Sequence, residues 1–409
     1  MVSILKQEHT TNDLLYKELL QCLCCGSDEL TTVLDLKNQP LANSYVKDKD
    51  SIEEYFPLAL NYCADCTHLQ LTHAVNPDLL FKNYLYVSGT TQTLRDYFDY
   101  FVKITERYFE KKQLSVLDIA CNDGSQLDSY KKSNHITYGI DPATNLYELS
   151  SKNHKVVCDY FTEDSVLKLN AKFDMIVAQN VFAHNSYPKE FLEVCKSYLN
   201  DTGKIFIQTS QANMVEYGQF DTIYHEHISF FNLNSMATLA KRSSLYLHDT
   251  FKTDIHGTSY VFVLTDDPAL DRTNELLSTE KLQTLEIVNR FASLSLKVVD
   301  DLKNELAKHK DSLIIGYGAA AKGNTLLNFG EIDLDYIIDD NPLKQNLYTP
   351  GKKIKIISLD EVEKLGSKPI IYVPLSWNFF TEIKTRVKNK YPGPATFIKY
   401  FPSLEIIKE

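Results

Sequence analysis

Four groups able to move or share protons stand side by side at Tyr224-His225-Glu226-His227, inside the run Asp221-Thr-Ile-Tyr-His-Glu-His-Ile-Ser-Phe-Phe231. Apolar and aromatic residues flank them, so burial is expected. Buried polar groups in a row are costly unless they are paired or used. In an extended segment side chains alternate faces, which puts His225 with His227 and Tyr224 with Glu226. The plain alternative is a satisfied hydrogen-bond network at a strand end. The spacing excludes the zinc-protease motif, which needs histidines at i and i+4.

A second set of residues suits a metal. Cys22-Leu-Cys24-Cys25 and Cys63-Ala-Asp-Cys66 each contain a C-x2-C pair, Cys22 with Cys25 and Cys63 with Cys66. Four thiolates so placed fit tetrahedral Zn²⁺, with two knuckles closing one site across a long loop. Cys24 is the spare and would ligate only with a strained bite. No open coordination position is expected, so the zinc is read as structural. Between the pairs, Asn38 to Asn43 reads as an irregular surface stretch.

The elements that position these groups form two similar units. A helix is expected from about Gln92 to Lys111. Leu114 to Ala120 is a buried strand, followed by the turn Cys121-Asn-Asp-Gly124 and a helical pattern from Ser125. The next strand, Ile136 to Ile140, ends at Asp141, about 20 residues on, where a carboxylate can hold a ribose diol. Phe173 to Ala178 and Lys204 to Gln208 continue a doubly wound α/β pattern, with His184 after the third strand. Pro268 to Lys310 reads as one or two amphipathic helices. A second strand, glycine turn and helix begins at Ser312, with Gly316-x-Gly318-x-x-Ala321 and a following strand that ends at Asp339-Asp340. Alone this fingerprint suggests a dinucleotide site, but the helix N-terminus and Lys322 equally suit a diphosphate.

Composition bounds the class. The chain has 409 residues, 44% hydrophobic and 24% charged, as in a globular protein of two or three domains. A net charge of -11 argues against nucleic acid as partner. No run is long enough to span a bilayer, and Met1 to Glu8 lacks a basic segment followed by an apolar one. The expected compartment is cytoplasmic, where eight cysteines serve as thiols or metal ligands.

Together the motifs resemble those of the S-adenosylmethionine-dependent sugar C-methyltransferases of deoxysugar pathways, as in mycarose and tetronitrose formation. Asp118-Ile-Ala-Cys-Asn-Asp-Gly124 is similar to the family's cofactor turn, with Asp118 for the usual Glu and Cys121 for a Ser. Asp174 to His184, Tyr224 to Phe230, Gly316 to Leu327 and Asp340 to Gln345 match further family runs, and the cysteine pairs match its zinc domain. Ser88-Gly89 stands where many members have Ser-Ser. The resemblance implies an α/β protein of three parts. These are a zinc-binding domain (1–80), a Rossmann-like methyltransferase domain (81–265) and a C-terminal Rossmann-like domain (266–409) that helps seat a nucleotide sugar.

It also implies roles. Asp118, Cys121, Asn122, Asp123, Gly124, Asp141, Gln179, Asn180 and Ser88 would bind S-adenosylmethionine. His227 would be the general base, with Glu226, Tyr224, His184 and a tyrosine at Tyr84 or Tyr86 (Tyr86 first) completing the catalytic set. His225, Gly318, Lys322, Asn324, Lys344 and Gln345 would contact the substrate. The expected acceptor is a nucleotide-linked 4-keto-deoxysugar, dTDP before GDP or CDP. Its C-3 proton is acidified by the ketone, and the enolate would attack the sulfonium methyl. Monomer is the expected state. The rival readings are a methyltransferase acting at another sugar position or on a heteroatom, an NAD-dependent sugar-nucleotide enzyme and a non-catalytic relative.

Overall fold

A computed structural model describes residues 15–81 and 87–409. Its largest sheet has seven strands, in the order Tyr246–Thr253, Ser259–Thr265, Leu199–Thr209, Phe173–Gln179, Ser115–Ile119, Ile136–Ile140, Lys155–Val157. The last five are parallel, and Ser259–Thr265 runs antiparallel to Leu199–Thr209. Val116, Leu117 and Ile119 are at most 1% exposed. A continuous apolar run of this kind is what a central strand covered by helices on both faces requires. Strand order reverses between Ser115–Ile119 and Phe173–Gln179, and crevices for ligands open at such switch points.

The C-terminal sheet repeats the plan with six strands, in the order Ile356–Ile357, Tyr336–Ile338, Leu313–Tyr317, Ile370–Pro374, Thr396–Lys399, Glu405–Lys408. Here the reversal falls between Leu313–Tyr317 and Ile370–Pro374, directly before the Gly318 turn. The stretch expected to hold one or two amphipathic helices contains Thr273–Leu277 and the long Leu285–Leu306. The long helix buries Val288, Phe291, Val299 and Leu302, each contributing roughly 1.5–3 kcal/mol when fully buried.

The N-terminal part is a four-stranded antiparallel sheet. Leu30–Pro40, Tyr55–Cys63 and Leu69–Leu71 supply three strands, and Ser229–Phe230 supplies the fourth. The run directly after His227 is therefore an edge strand of the N-terminal sheet. Leu30–Pro40 also extends into the stretch expected to be irregular, and Pro40 is buried at its end. No helix among the described residues is long and apolar enough to cross a membrane.

Candidate active site and metal centre

The Tyr224 to His227 segment is a turn, not an extended strand, because the His227 amide donates to the Tyr224 carbonyl at 2.8 Å. A turn breaks the expected alternation. Tyr224, Glu226 and His227 face one cavity of about 1600 Å³, while His225 points away. The His225 Nε2 lies 3.3 Å from the Phe56 carbonyl, and its ring packs edge-on against Phe56. The substrate contact expected of His225 is corrected: this side chain pins the turn to the N-terminal sheet.

His227 is 5% exposed and held at both nitrogens. Nδ1 is 2.7 Å from the Thr222 carbonyl, which can only accept, and this shorter contact assigns the hydrogen to Nδ1; the Gln211 amide, 3.2 Å away, then turns its otherwise unpartnered oxygen to the same nitrogen. Nε2 is then the lone pair, and the Tyr224 hydroxyl donates to it at 2.9 Å. The His184 ring stacks on His227 at 5.2 Å and on Phe81 at 5.5 Å. Loss of hydration holds the His184 imidazole down to about 4, and the same cause with nearby His184 holds His227 well below the usual histidine value. Both are neutral at physiological pH, as a base must be. The Glu226 carboxylate accepts from the Asn43 amide, which reaches in from the loop after strand Leu30–Pro40. Tyr45 and Lys344 stand on the same side, with the Lys344 ammonium 3.9 Å from the Asp339 carboxylate and donating to the Ala319 carbonyl at 2.7 Å.

One end of the cavity is built by the first switch point. Asp118, Cys121, Asn122, Asp141, Gln179 and Asn180 line it, together with Ser88. Asp141 accepts from the amides of Asn122 (2.9 Å) and Ala143 (2.8 Å), which fixes the turn against the second strand. Burial pushes the Asp118 carboxyl well up, and the charges of Asp141 and Asp123 add to this. Buried Gln126 amide atoms and the Asn180 Oδ1 have no hydrogen-bond partner among the described residues, although both side chains stand on the cavity wall. Such orphaned donors and acceptors fit a ligand with an amino-acid end and a ribose, as S-adenosylmethionine has. Asp123 and Gly124 shape the turn without lining the cavity: Asp123 accepts from the amides of Gly89 (2.9 Å) and Ser125 (3.1 Å), and Gly124 has a φ of 83°. Tyr160 and Phe161, unremarked in the sequence, complete this end. Tyr84 and Tyr86 lie outside the described residues.

The second switch point builds the other end. Gly318, Lys322, Asp339, Asp340 and Lys344 line it, with Tyr317, Ser376 and Arg386. Gly318 has a φ of 93°, and a Cβ there would lie 2.2 Å from the Ser376 Oγ. Two expected substrate contacts are corrected. Asn324 is 2% exposed and donates to the Ala42 carbonyl at 2.6 Å, tying the helix to the N-terminal part. Gln345 donates to the Asp339 carbonyl at 3.0 Å and does not reach the cavity. Neither role was legible: a helix pattern shows only which residues share a face with Asn324, and Gln345 lies in a turn whose side-chain direction no periodicity gives.

The metal centre matches its sequence reading. The sulfurs of Cys22, Cys25, Cys63 and Cys66 lie within 4.8 Å of one another, with Cys22 to Cys66 and Cys25 to Cys63 at 3.5 Å. Tetrahedral zinc with bonds of about 2.3 Å needs sulfurs about 3.8 Å apart, so the set fits a closed structural site. Cys24 stays outside the set, and its carbonyl accepts from Arg242 on the helix Leu233–Arg242.

Comparisons with known proteins agree with this layout. Residues 22–81 match a zinc binding domain, 93–249 a methyltransferase domain and 254–402 a C-methyltransferase C-terminal domain. The C-methyltransferase NovU of Streptomyces niveus is 26% identical over 95% of this chain and 96% of its own. A ubiquinone biosynthesis O-methyltransferase of Glaesserella parasuis serovar 5 (strain SH0165) is 31% identical over 26% of this chain and 48% of its own. Among solved structures, an S-adenosylmethionine-dependent methyltransferase from Clostridium acetobutylicum ATCC 824 covers 42% of this chain and 91% of its own, at 10% identity and a TM-score of 0.34, too distant to weigh in the assignment. Three domains in this order, and a relative aligned along nearly its whole length, place the chain among the S-adenosylmethionine-dependent C-methyltransferases.

Proposed function

We propose that the acceptor is a nucleotide-linked 4-keto-deoxysugar and that the methyl group enters at C-3 through an enolate. The observation that carries this reading is the meeting of two Rossmann-type switch points in one cavity, with Tyr224, Glu226 and His227 on its wall. One end suits a nucleoside with an amino-acid tail. The other, with Gly318, Lys322 and Lys344, suits a nucleoside diphosphate.

S-adenosylmethionine, when bound, supplies an electrophilic methyl that carries its own leaving group. The protein must make a carbon nucleophile to meet it. The C-3 proton goes to Nε2 of His227, the electron pair of the C–H bond becomes the C-3–C-4 double bond, and the π pair of the ketone passes to its oxygen. Protonation reverses the bond between the two side chains, so the imidazolium donates to the Tyr224 oxygen. The phenol hydrogen is thereby freed for the enolate oxygen, where an aimed donor is most effective. The Thr222 carbonyl, fixed on Nδ1, keeps the lone pair on Nε2 before the transfer and accepts from the imidazolium after it. Glu226, set by Asn43, orients the sugar. Held proximity of two reactants can contribute about 7–11 kcal/mol, which is the task of the two switch points.

His227→Asn tests the base. The variant is expected to fold and to bind S-adenosylhomocysteine as the parent does, with methyl transfer to nucleotide-linked 4-keto-deoxysugars reduced at least about 100-fold, in line with the loss of a general base. Parent-level turnover in that variant would exclude the assignment.

A further inference from the structure

His256 received no role from the sequence, yet it stands on the same cavity wall as His227. Its backbone is unusual. His256, Gly257 and Thr258 follow one another at φ 56°, 91° and 97°. Histidine enters this left-handed region more readily than most residues, but a β-branched threonine at positive φ is an outlier, and such strain persists only where the surroundings impose it. The surroundings are visible. The Lys322 ammonium, from the helix after the Gly318 turn, donates to the His256 carbonyl at 3.2 Å. The same ammonium lies over the Trp377 ring at 4.5 Å, and Trp377 donates to buried Asp221 at 2.7 Å. Trp377 also presses on Gly257, where an added Cβ would meet its ring at 2.8 Å. From the other side, Asn213 donates to the Thr258 hydroxyl at 3.1 Å. The loop is thus clamped between two domains with its imidazole facing the cavity.

The His256 ring makes no hydrogen bond with the described residues, whereas both nitrogens of His227 are engaged. Loss of hydration and the nearby Lys322 charge keep the ring neutral, down to about 4. A neutral imidazole offers one donor and one acceptor. A clamped, unengaged imidazole beside a base is a group placed for a ligand.

We propose that His256 is a substrate-contacting residue, with its imidazole hydrogen-bonded to an oxygen of the acceptor sugar, and that Lys322 acts through its carbonyl as a positioning residue. The inference rests on the acceptor class proposed above. It assigns to Lys322 a structural duty beside any contact with diphosphate.

The test uses the full chain and the nucleotide-linked 4-keto-deoxysugar that it turns over. His256→Gly removes the ring and accepts the left-handed backbone. The expected result is a loss of at least tenfold in kcat/KM for the sugar, with S-adenosylhomocysteine affinity within twofold and the thermal midpoint unchanged. Added imidazole is expected to restore part of the rate, which a purely structural defect would not allow. His256→Asn, able to keep both the backbone and a hydrogen bond, is expected to fall between. Full activity in His256→Gly, or a loss that imidazole does not relieve, would overturn the role of His256 alone. A parent enzyme that methylates no keto-sugar would overturn the acceptor class, and this inference with it.

Discussion

Asp141 and Asp339 do the same work in the two Rossmann-like units. Each ends a second strand, accepts the amide two residues on (Ala143, Asn341) and accepts one amide of the preceding turn (Asn122, Ala319). Their positions were legible because a carboxylate about 20 residues past a glycine turn is a spacing that a sequence displays. The histidines were legible only in part. Tyr224 to His227 drew notice as a run, but one turn hydrogen bond decided which of its members face the cavity. His256, a lone histidine whose meaning lies in its backbone and in Lys322, carried no such signal. Buried His225 offers a test of the turn. Unfolded, it binds a proton near pH 6.5; folded, burial holds it down to about 4. Between those values the unfolded chain binds more protons, so this contribution to stability is present above about pH 6.5 and is lost as the pH falls toward 4. The thermal midpoint of His225→Asn is therefore expected to fall less than the parent's between about pH 7 and 5. The raised carboxyl of Asp221, at about 6, acts with opposite sign but equally in both proteins. Equal slopes would place His225 in water.

At the scale of elements, the strand Ser229–Phe230 links the metal centre to the turn at Tyr224 to His227. It pairs with Leu69–Leu71, just after Cys66, and the Ser229 hydroxyl lies 3.2 Å from the His68 ring. Zinc removal, or Cys66→Ser, is expected to lower stability by several kcal/mol, since binding free energy of structural zinc is folding free energy. Hydrogen exchange at residues 229–231 should speed up, and methyl transfer should fall although no cavity residue has changed. Unaltered exchange at these residues on chelation would uncouple the two sites. The glycine turns make a second prediction. Gly318→Ala puts a Cβ against Ser376 in a left-handed conformation that costs a non-glycine residue about 1–2 kcal/mol before any clash. Calorimetry should show weakened dTDP binding and intact S-adenosylhomocysteine binding; the reverse would exchange the tasks of the two cavity ends. The strands and turns behind these predictions were readable from apolar runs ended by glycine. The exchange of Ser229–Phe230 into the N-terminal sheet was not, because two residues carry no periodicity and the pairing is set by tertiary packing.

Across the whole molecule, side chains from each part close the cavity of another. Asn43 and Tyr45 come from the N-terminal part and reach Glu226 and the Ala319 carbonyl, and Asn324 returns a bond to Ala42. Three separate domain patterns can be seen in a sequence, but their joint surface cannot, since it depends on contacts between residues hundreds of positions apart. On that joint surface two crevices open on one another with neutral imidazoles between. The most direct measurement follows the acceptor's own hydrogen. A nucleotide-linked 4-keto-deoxysugar deuterated at C-3 is incubated with the protein and S-adenosylmethionine, and the product is read by mass spectrometry and NMR. An enolate route requires one methyl gained, the C-3 deuteron lost and a new carbon–carbon bond at C-3. A methyl group on oxygen or nitrogen, with the deuteron retained, would contradict it.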